Sequence, residues 1–375
     1  MPHELSSNFG SEACNFIEDI IDGMLDWVRV INREDTVIFV NKSMRQALGG
    51  ADFVGKKCYE TLNRNTPCPN CLSRYNKSDW SANKEEIING RVFSVTSSPL
   101  KNQTTGEIEA VIEVLHDITE LKNMSKELER QNQKLRADLS MARRLQCSLL
   151  PKNKLTSDKL AFSFIYKPCE TLGGDFLDIF QIDAEHYGVY IADVSGHGVA
   201  ASMLTMFLRA ALDKTQLSPA KALKQLYYYF NENGFADELY IAMFYGIIDT
   251  TNLTFIYSNA GLNVCPLLMS KGDIQLLRTP GIPISNWVED PEYNELTVTL
   301  KADDRMFFYT DGIIEIRNSE KAQFGEERII QHLLESDQEP SLVLTQLIDK
   351  ALSFSGKRNS SEILDDITMA LIELK

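Results

Sequence analysis

Three patterns of apolar and polar positions follow one another along the chain. In the first, β-rich runs alternate with polar turns. Val28–Asn32 and Thr36–Asn41 flank Arg33-Glu34-Asp35, and Gly90–Thr96 and Glu109–Leu115 come later. Phe16-Ile17, Ile20-Ile21 and Met24-Leu25 precede them at helical spacing. This predicts a small α/β domain over residues 13–119, after a flexible N-terminus at residues 1–12. In the second pattern, from Ile118 to Leu150, glycine and proline are absent, and Leu121, Leu128, Leu135, Ala142 and Leu149 recur every seven residues. That strict period predicts a helix over residues 120–150 that pairs as a parallel coiled coil, with a lone amphipathic helix as the alternative. One register adds Met124 and Leu145 to the seam but buries Gln131 and Asp138. The other adds Ile118 and Leu139 but buries Ser125, Asn132 and Gln146.

The third pattern covers residues 151–375. Strand-like runs at Ala161–Tyr166, Phe176–Ile182, Tyr187–Val194, Tyr240–Ile248, Leu253–Ser258, Arg305–Tyr309 and Ile367–Leu374 dominate it. Helical stretches lie between them at Val199–Lys214, Pro219–Phe230, Glu326–Glu335 and Ser341–Phe354. Adjacent strands interrupted by paired helices predict an α+β domain with antiparallel sheet.

Composition narrows the function. A net charge of −15 argues against a nucleic-acid partner, because phosphate contacts need clustered Lys and Arg. No apolar run approaches the roughly 18 residues that span a bilayer, so membrane insertion is not expected. The N-terminus lacks a basic segment followed by an apolar one, and seven mostly scattered cysteines suit a reducing compartment. A cytoplasmic protein is expected.

The candidate chemistry is carboxylate chemistry. Asp175 in GGDF, Asp193 in YIADVSGHG, Asp311 in FFYTDG and the pair Asp365-Asp366 each stand at the end or start of an apolar strand, often beside glycine. A strand end holds a carboxylate rigidly, and glycine lets backbone approach a ligand. Alone, each Asp is more readily a turn residue. Together, without nearby Cys or paired His, they suit Mg²⁺ or Mn²⁺. LGGDFLDIF superficially resembles the GGDEF signature of diguanylate cyclases. That signature needs two consecutive acids, and Phe176 follows Asp175. In a strand, Asp175 would share a face with Leu177 and Ile179, whereas Asp178 would point the other way with Phe176 and Phe180.

The first domain, with VNKSMRQALGG after its second strand and HDITELK at its end, resembles a PAS sensor. The ordered set GGDFLDIF, ADVSGHGVAASMLT, FYGIID, YSNAG, FFYTDGIIEIRN with FGEERI, and DDITMALIEL is similar to metal-dependent protein phosphatases of the SpoIIE/RsbU type. The resemblance implies an α-β-β-α sandwich over residues 151–375. It also implies a bridging ligand at Asp193, the Val194 carbonyl and Asp175 toward a second ion, and Asp311 with Asp365 toward the first. Gly174, Gly312 and Asp366 would support these ligands, although Asp365 and Asp366 could exchange roles. Two ions about 4 Å apart activate a water for in-line attack on a phosphoryl group. The implied substrate is phosphoserine or phosphothreonine on a STAS-type anti-anti-sigma factor, hydrolysed by a homodimer under PAS control.

Some positions depart from the family pattern. Leu262 stands in Asn259-Ala-Gly-Leu-Asn-Val-Cys265 where many relatives have histidine. Ser285 replaces a glycine, and Ser195 occupies the place of a proposed general acid in eukaryotic members. His197 is near that place but not equivalent to it, and packing beside its glycine turn is at least as good a reading as proton transfer. These changes keep a non-catalytic phosphoprotein scaffold as the alternative function. A histidine kinase is disfavoured, since the coil has no phosphoacceptor box and no glycine-rich ATP motif follows. In the sensor, Cys58, Cys68 and Cys71 cluster, the last two in a CPNC motif. Plain thiols, a redox pair and a metal site stay open, with His116 as a distant fourth ligand.

Overall fold

The computed structural model describes residues 15–68, 82–151, 158–356 and 364–375. Cysteine 71 therefore lies outside the described residues. The chain divides into two compact units, Met1–Lys134 and Leu135–Lys375.

The first unit contains one five-stranded antiparallel sheet. Its strands are β1 (Trp27–Asn32), β2 (Val37–Val40), β3 (Ala82–Ile88), β4 (Arg91–Lys101) and β5 (Ile108–Asp117), in the order β2-β1-β5-β4-β3. Helix α1 (Lys42–Ala47) follows β2 and is capped by Asn41, whose Oδ1 accepts the Met44 N–H. The same oxygen accepts the Val28 N–H, which ties the helix start to β1. Strand β3 was not legible in the sequence because its alternation, Ala-Asn-Lys-Glu-Glu-Ile-Ile, is mostly polar at an edge. A polar network lies within the core. Arg29 donates to Glu113 from Nε (2.8 Å) and Nη2 (2.6 Å), and Nη1 donates to the Cys58 carbonyl and Thr61 Oγ1. A paired and hydrogen-bonded guanidinium of this kind tolerates burial.

Helix α2 (Thr119–Leu149) is one continuous 31-residue helix. Leu121, Met124, Leu128, Leu135 and Leu145 are all exposed along it.

The second unit stacks two five-stranded antiparallel sheets. The first has strands β7 (Asp175–Gln181), β8 (His186–Val194), β9 (Ile241–Asp249), β10 (Thr254–Ala260) and β13 (Glu295–Thr299), ordered β13-β10-β9-β8-β7. The second has β6 (Leu160–Lys167), β11 (Leu267–Ser270), β12 (Asp273–Leu276), β14 (Arg305–Tyr309) and β15 (Ile367–Leu374), ordered β12-β11-β14-β15-β6. Leu177, Ile179, Phe244, Phe255, Phe307 and Leu371 belong to the core that joins them. Helices α3 (Gly198–Ala211) and α4 (Pro219–Glu232) cover the outer face of the first sheet through Phe176, Tyr190, Leu204, Leu223 and Tyr245. Helices α5 (Gly325–Glu335) and α6 (Pro340–Ser355) belong to the second sheet's side, with Ile329, Val343 and Leu347 buried. This is the expected α+β sandwich with helices outside. Strands β11, β12 and β13 went unread in the sequence, being four or five residues long.

Alternation along β7 is as the pattern requires. Leu177 and Ile179 enter the core between the sheets, and Phe176 packs under the helices. Asp178, on the helical side, takes Arg209 Nη1 at 2.7 Å and Lys214 Nζ at 2.5 Å. Its purpose is structural: it neutralises two cations of the helical layer.

Candidate active site

Each sheet delivers acids to one shared edge. In the first sheet, the β7–β8 register sets Asp175 directly opposite Asp193. The approach to β7 is tight, because a Cβ on Gly174 would lie 2.9 Å from the Gly196 carbonyl and 3.1 Å from that of Val194. Only glycine fits there without displacing backbone. In the second sheet, β14 ends at Tyr309 and runs through Thr310 into a single 3-10 turn, Asp311–Ile313. Asp365 and Asp366 lead into β15 beside it, and a Cβ on Gly312 would fall 1.9 Å from the Asp366 carbonyl.

Thr310 joins the two sheets at this edge, donating from Oγ1 to Asp175 Oδ2 at 2.7 Å. Asp366 joins them again. Its Oδ2 accepts the N–H groups of Gly174 (2.6 Å) and Asp175 (3.2 Å), and its Oδ1 accepts that of Cys169 (2.7 Å). Among the described residues, Asp365 Oδ1 accepts the Asp366 N–H at 2.8 Å, and Asp311 Oδ2 accepts Asn263 Nδ2 at 2.6 Å. The two neighbouring acids thus differ in kind: among the described residues Asp366 accepts three backbone N–H groups, and Asp365 accepts one.

Mutual repulsion marks the cluster. Burial, then the charges of Asp311, Asp365 and Asp366, push Asp193 up to about 7 from an ordinary 3.8. Burial and the neighbouring Asp193 and Asp366 hold Asp175 well above the usual carboxylate range, with the Thr310 hydroxyl opposing. Burial also raises Asp365, with Asp311 and Asp366 adding to it. Among the described residues, no three acidic, His or Cys side chains already cage an ion, since several oxygens are turned to protein donors. The donor chemistry nevertheless fits a hard divalent cation: the candidate donors are all oxygen, and among the described residues no Lys or Arg pairs with Asp175, Asp193, Asp311 or Asp365.

Several supporting residues were not singled out from sequence. Thr310 was within a quoted motif, FFYTDG, but hydroxyl geometry across two sheets has no sequence signature. Gln146, near the end of α2, is buried; its Nε2 donates to the Gly173 carbonyl at 2.8 Å and to Thr205 Oγ1 at 3.3 Å, and its Oε1 accepts the Gly173 N–H. The helix reaches the glycine turn of Asp175 by this one polar side chain. A seam position in one predicted register is therefore occupied by a residue of intrachain function.

The departures from the pattern are packing features. Leu262 is buried in the core between the sheets, and its N–H donates to Asn259 Oδ1. Ser285 is buried with its hydroxyl on the Pro283 carbonyl. His197 stands at the N-terminal boundary of α3, and its exposed ring meets Glu170 at 3.0 Å. Among the sensor cysteines, Cys58 is buried in the sheet core, and Cys68 Sγ lies 3.2 Å from Arg64 Nη1. His116 pairs with Asp26 at 2.6 Å. Cys68, Cys147, Cys169 and Cys265 are free thiols.

Residues 183–375 match the family described as Stage II sporulation protein E (SpoIIE), and residues 22–120 match the PAS domain family. The chain belongs to the SpoIIE family. It is 31% identical over 188 residues to phosphoserine phosphatase RsbP of Bacillus subtilis (strain 168), covering 48% of this chain and 45% of that protein. It is 24% identical over 251 residues to phosphoserine phosphatase RsbU of the same strain, covering 65% and 72%. The chain spans less than half the length of RsbP. In fold, the SpoIIE-family unit is similar to the SiaA-PP2C domain of Pseudomonas aeruginosa, with a TM-score of 0.58, 22% identity and coverage of 65% and 99%. Among the described residues, no helix is long and apolar enough to cross a membrane.

Proposed function

We propose that this chain is a PAS-regulated protein phosphatase that hydrolyses phosphoserine or phosphothreonine on a partner protein. The observation that carries this reading is the edge at which Asp175 and Asp193, on adjacent strands of one sheet, meet Asp311 and Asp365 from the other. Asp193 would be shared by two Mn²⁺ or Mg²⁺ ions, with Asp175 and the Val194 carbonyl toward one and Asp311 and Asp365 toward the other. Asp366, Gly174 and Gly312 would hold the backbone around them. When bound, such ions supply a lowered pKa for water and charge neutralisation of a phosphoryl group. The protein itself contributes rigid strand ends, the Thr310 bridge that orients Asp175, and an edge with enough negative charge to retain the cations.

In this reading regulation would run along helix α2. Helix α2 leads directly from the PAS unit to Gln146, which holds both peptide groups of Gly173. A signal that rotates or shifts the helix would act on the turn that positions Asp175. The exposed stripe of Leu121, Met124, Leu128, Leu135 and Leu145 supports a parallel homodimer in the first of the two registers. The relatives named phosphoserine phosphatases support phosphoserine as the group attacked, and the substrate of this reading is a phosphorylated STAS-type protein in the cytoplasm. The deciding experiment is phosphate release from a phosphoserine protein with Mn²⁺ and with EDTA. Equal rates in both would remove the two-metal reading.

A further inference from the structure

Beside the acids, three neighbouring strand ends build a rim. Val194 pairs with Ile241, and one residue further out Ser195 and Tyr240 are locked together. The Ser195 N–H donates to the Tyr240 carbonyl at 3.0 Å, and the Tyr240 N–H donates to Ser195 Oγ at 2.9 Å. Ile241 exchanges backbone hydrogen bonds with Ile284, both at 2.9 Å. Trp287 lies three residues beyond Ile284, and its ring centroid is 5.1 Å from that of Tyr240. The rim is thus only two residues along the chain from Asp193 at Ser195. The charges of Asp193, Asp311 and Asp365 also reach the Tyr240 phenol, adding to burial in raising it.

Trp287 is fixed but not buried. Its Nε1 donates to the Asp237 carbonyl at 2.8 Å, and the adjacent Asn286 Nδ2 donates to Asp237 Oδ1 at 2.6 Å. Its side remains 55% exposed, with Val288 and Ile282 exposed on the same loop. A rigid, exposed tryptophan contributes little to the core and is suited to anchor a ligand. The two loops that hold it carry exposed Asp237, Glu238, Glu289, Asp290 and Glu292, and no Lys or Arg occurs at 232–240 or 281–294. Lys224 engages Asp290 and Glu292, but among the described residues neither Glu238 nor Glu289 is in an ion pair.

We propose that Tyr240 and Trp287 receive the apolar residue beside a phosphoserine, and that the acids around them select a substrate segment with Lys or Arg flanks. The proposal rests on the phosphatase reading and specifies its substrate class. Complementary charge at an interface rim acts chiefly on selection and encounter, so the preference should fade with salt.

The test uses the full chain with Mn²⁺ and two phosphoserine peptides, one flanked by Leu and Lys/Arg, the other by Gly and Glu. The wild type should favour the basic peptide about tenfold in kcat/KM at low salt. Trp287→Ala should raise KM for it about tenfold with kcat changed less than about twofold, and Trp287→Phe should restore most of the affinity. Glu238→Gln with Glu289→Gln should narrow the preference between peptides. Binding of both peptides, measured by fluorescence polarisation in parallel, separates the two ideas. Trp287-dependent binding without turnover upholds the rim and overturns the phosphatase reading. Turnover whose KM ignores Trp287 overturns the rim alone, and neither binding nor turnover overturns both.

Discussion

Asp175 and Asp193 occupy one rung of the antiparallel β7–β8 pair, so their side chains leave the sheet on the same face. Asp178, three residues along β7, leaves on the other. Asp193→Asn keeps the shape and removes the charge, and should lower phosphate release on the order of a thousandfold at saturating Mn²⁺. Asp178→Asn should leave kcat nearly unchanged and cost about 1–3 kcal/mol of stability, because Arg209 and Lys214 lose their negatively charged partner. Phosphate assays and urea unfolding on both variants check the contrast.

The carboxylate cluster ties stability to pH and, on the two-metal reading, to cations. Asp193 is raised to about 7 and Asp175 and Asp365 are raised as well, so the folded state binds more protons than the unfolded one. That contribution is fully present below the ordinary 3.8 and is lost as pH rises through about 7. A bound cation replaces the missing protons. Adding Mn²⁺ should therefore raise Tm more near pH 8 than near about pH 5.5, read by scanning fluorimetry. A shift independent of pH would disconnect these acids from the ion.

Asp365 and Asp366 should separate cleanly. Asp366→Ala leaves the Cys169, Gly174 and Asp175 N–H groups without their acceptor and should cost about 2–4 kcal/mol. Asp365→Ala should cost less than about 1 kcal/mol yet weaken Mn²⁺ binding. Calorimetric titration with Mn²⁺ alongside denaturant unfolding reads both effects, and the reverse pattern would exchange the two roles.

Gln146→Leu keeps the approximate volume but strands the Gly173 peptide groups. It should destabilise the second unit by about 1–3 kcal/mol and raise the Mn²⁺ concentration needed for half-maximal rate. An unaltered metal requirement would mean that α2 does not act through this turn.

Leu128→Asp with Leu135→Asp places charges in the exposed stripe of α2. Sedimentation should show a monomer where the parent chain is a dimer, since a seam cannot bury unpaired carboxylates. A parent chain that sediments as a monomer would remove the coiled coil.

Most of this was legible because it is local or repetitive. The period of two in LGGDFLDIF placed Asp178 on the far face from Asp175, and the period of seven marked α2 as one helix. The order of acid-bearing motifs along the chain carries the family resemblance. Local pattern failed where an element was short or its alternation polar, as in β3, β11, β12 and β13, which are held by pairing with neighbours rather than by their own composition.

The sequence by itself thus determined which residues carry charge at strand ends, and that the chain runs from sensor through helix to sandwich. Tertiary structure alone decided their partners. Asp365 and Asp366 are adjacent and chemically identical, and only the packing of β15 against the Gly174 turn gives Asp366 the N–H groups of Gly174 and Asp175 while Asp365 takes that of its neighbour. The surroundings of the cyclase-like GGDF were decided in the same way. Its glycines admit the carbonyls of Val194 and Gly196, the carboxylate of Asp366 and the side chain of Gln146. Contacts between groups almost two hundred residues apart depend on three-dimensional closure, which no periodicity along the chain encodes.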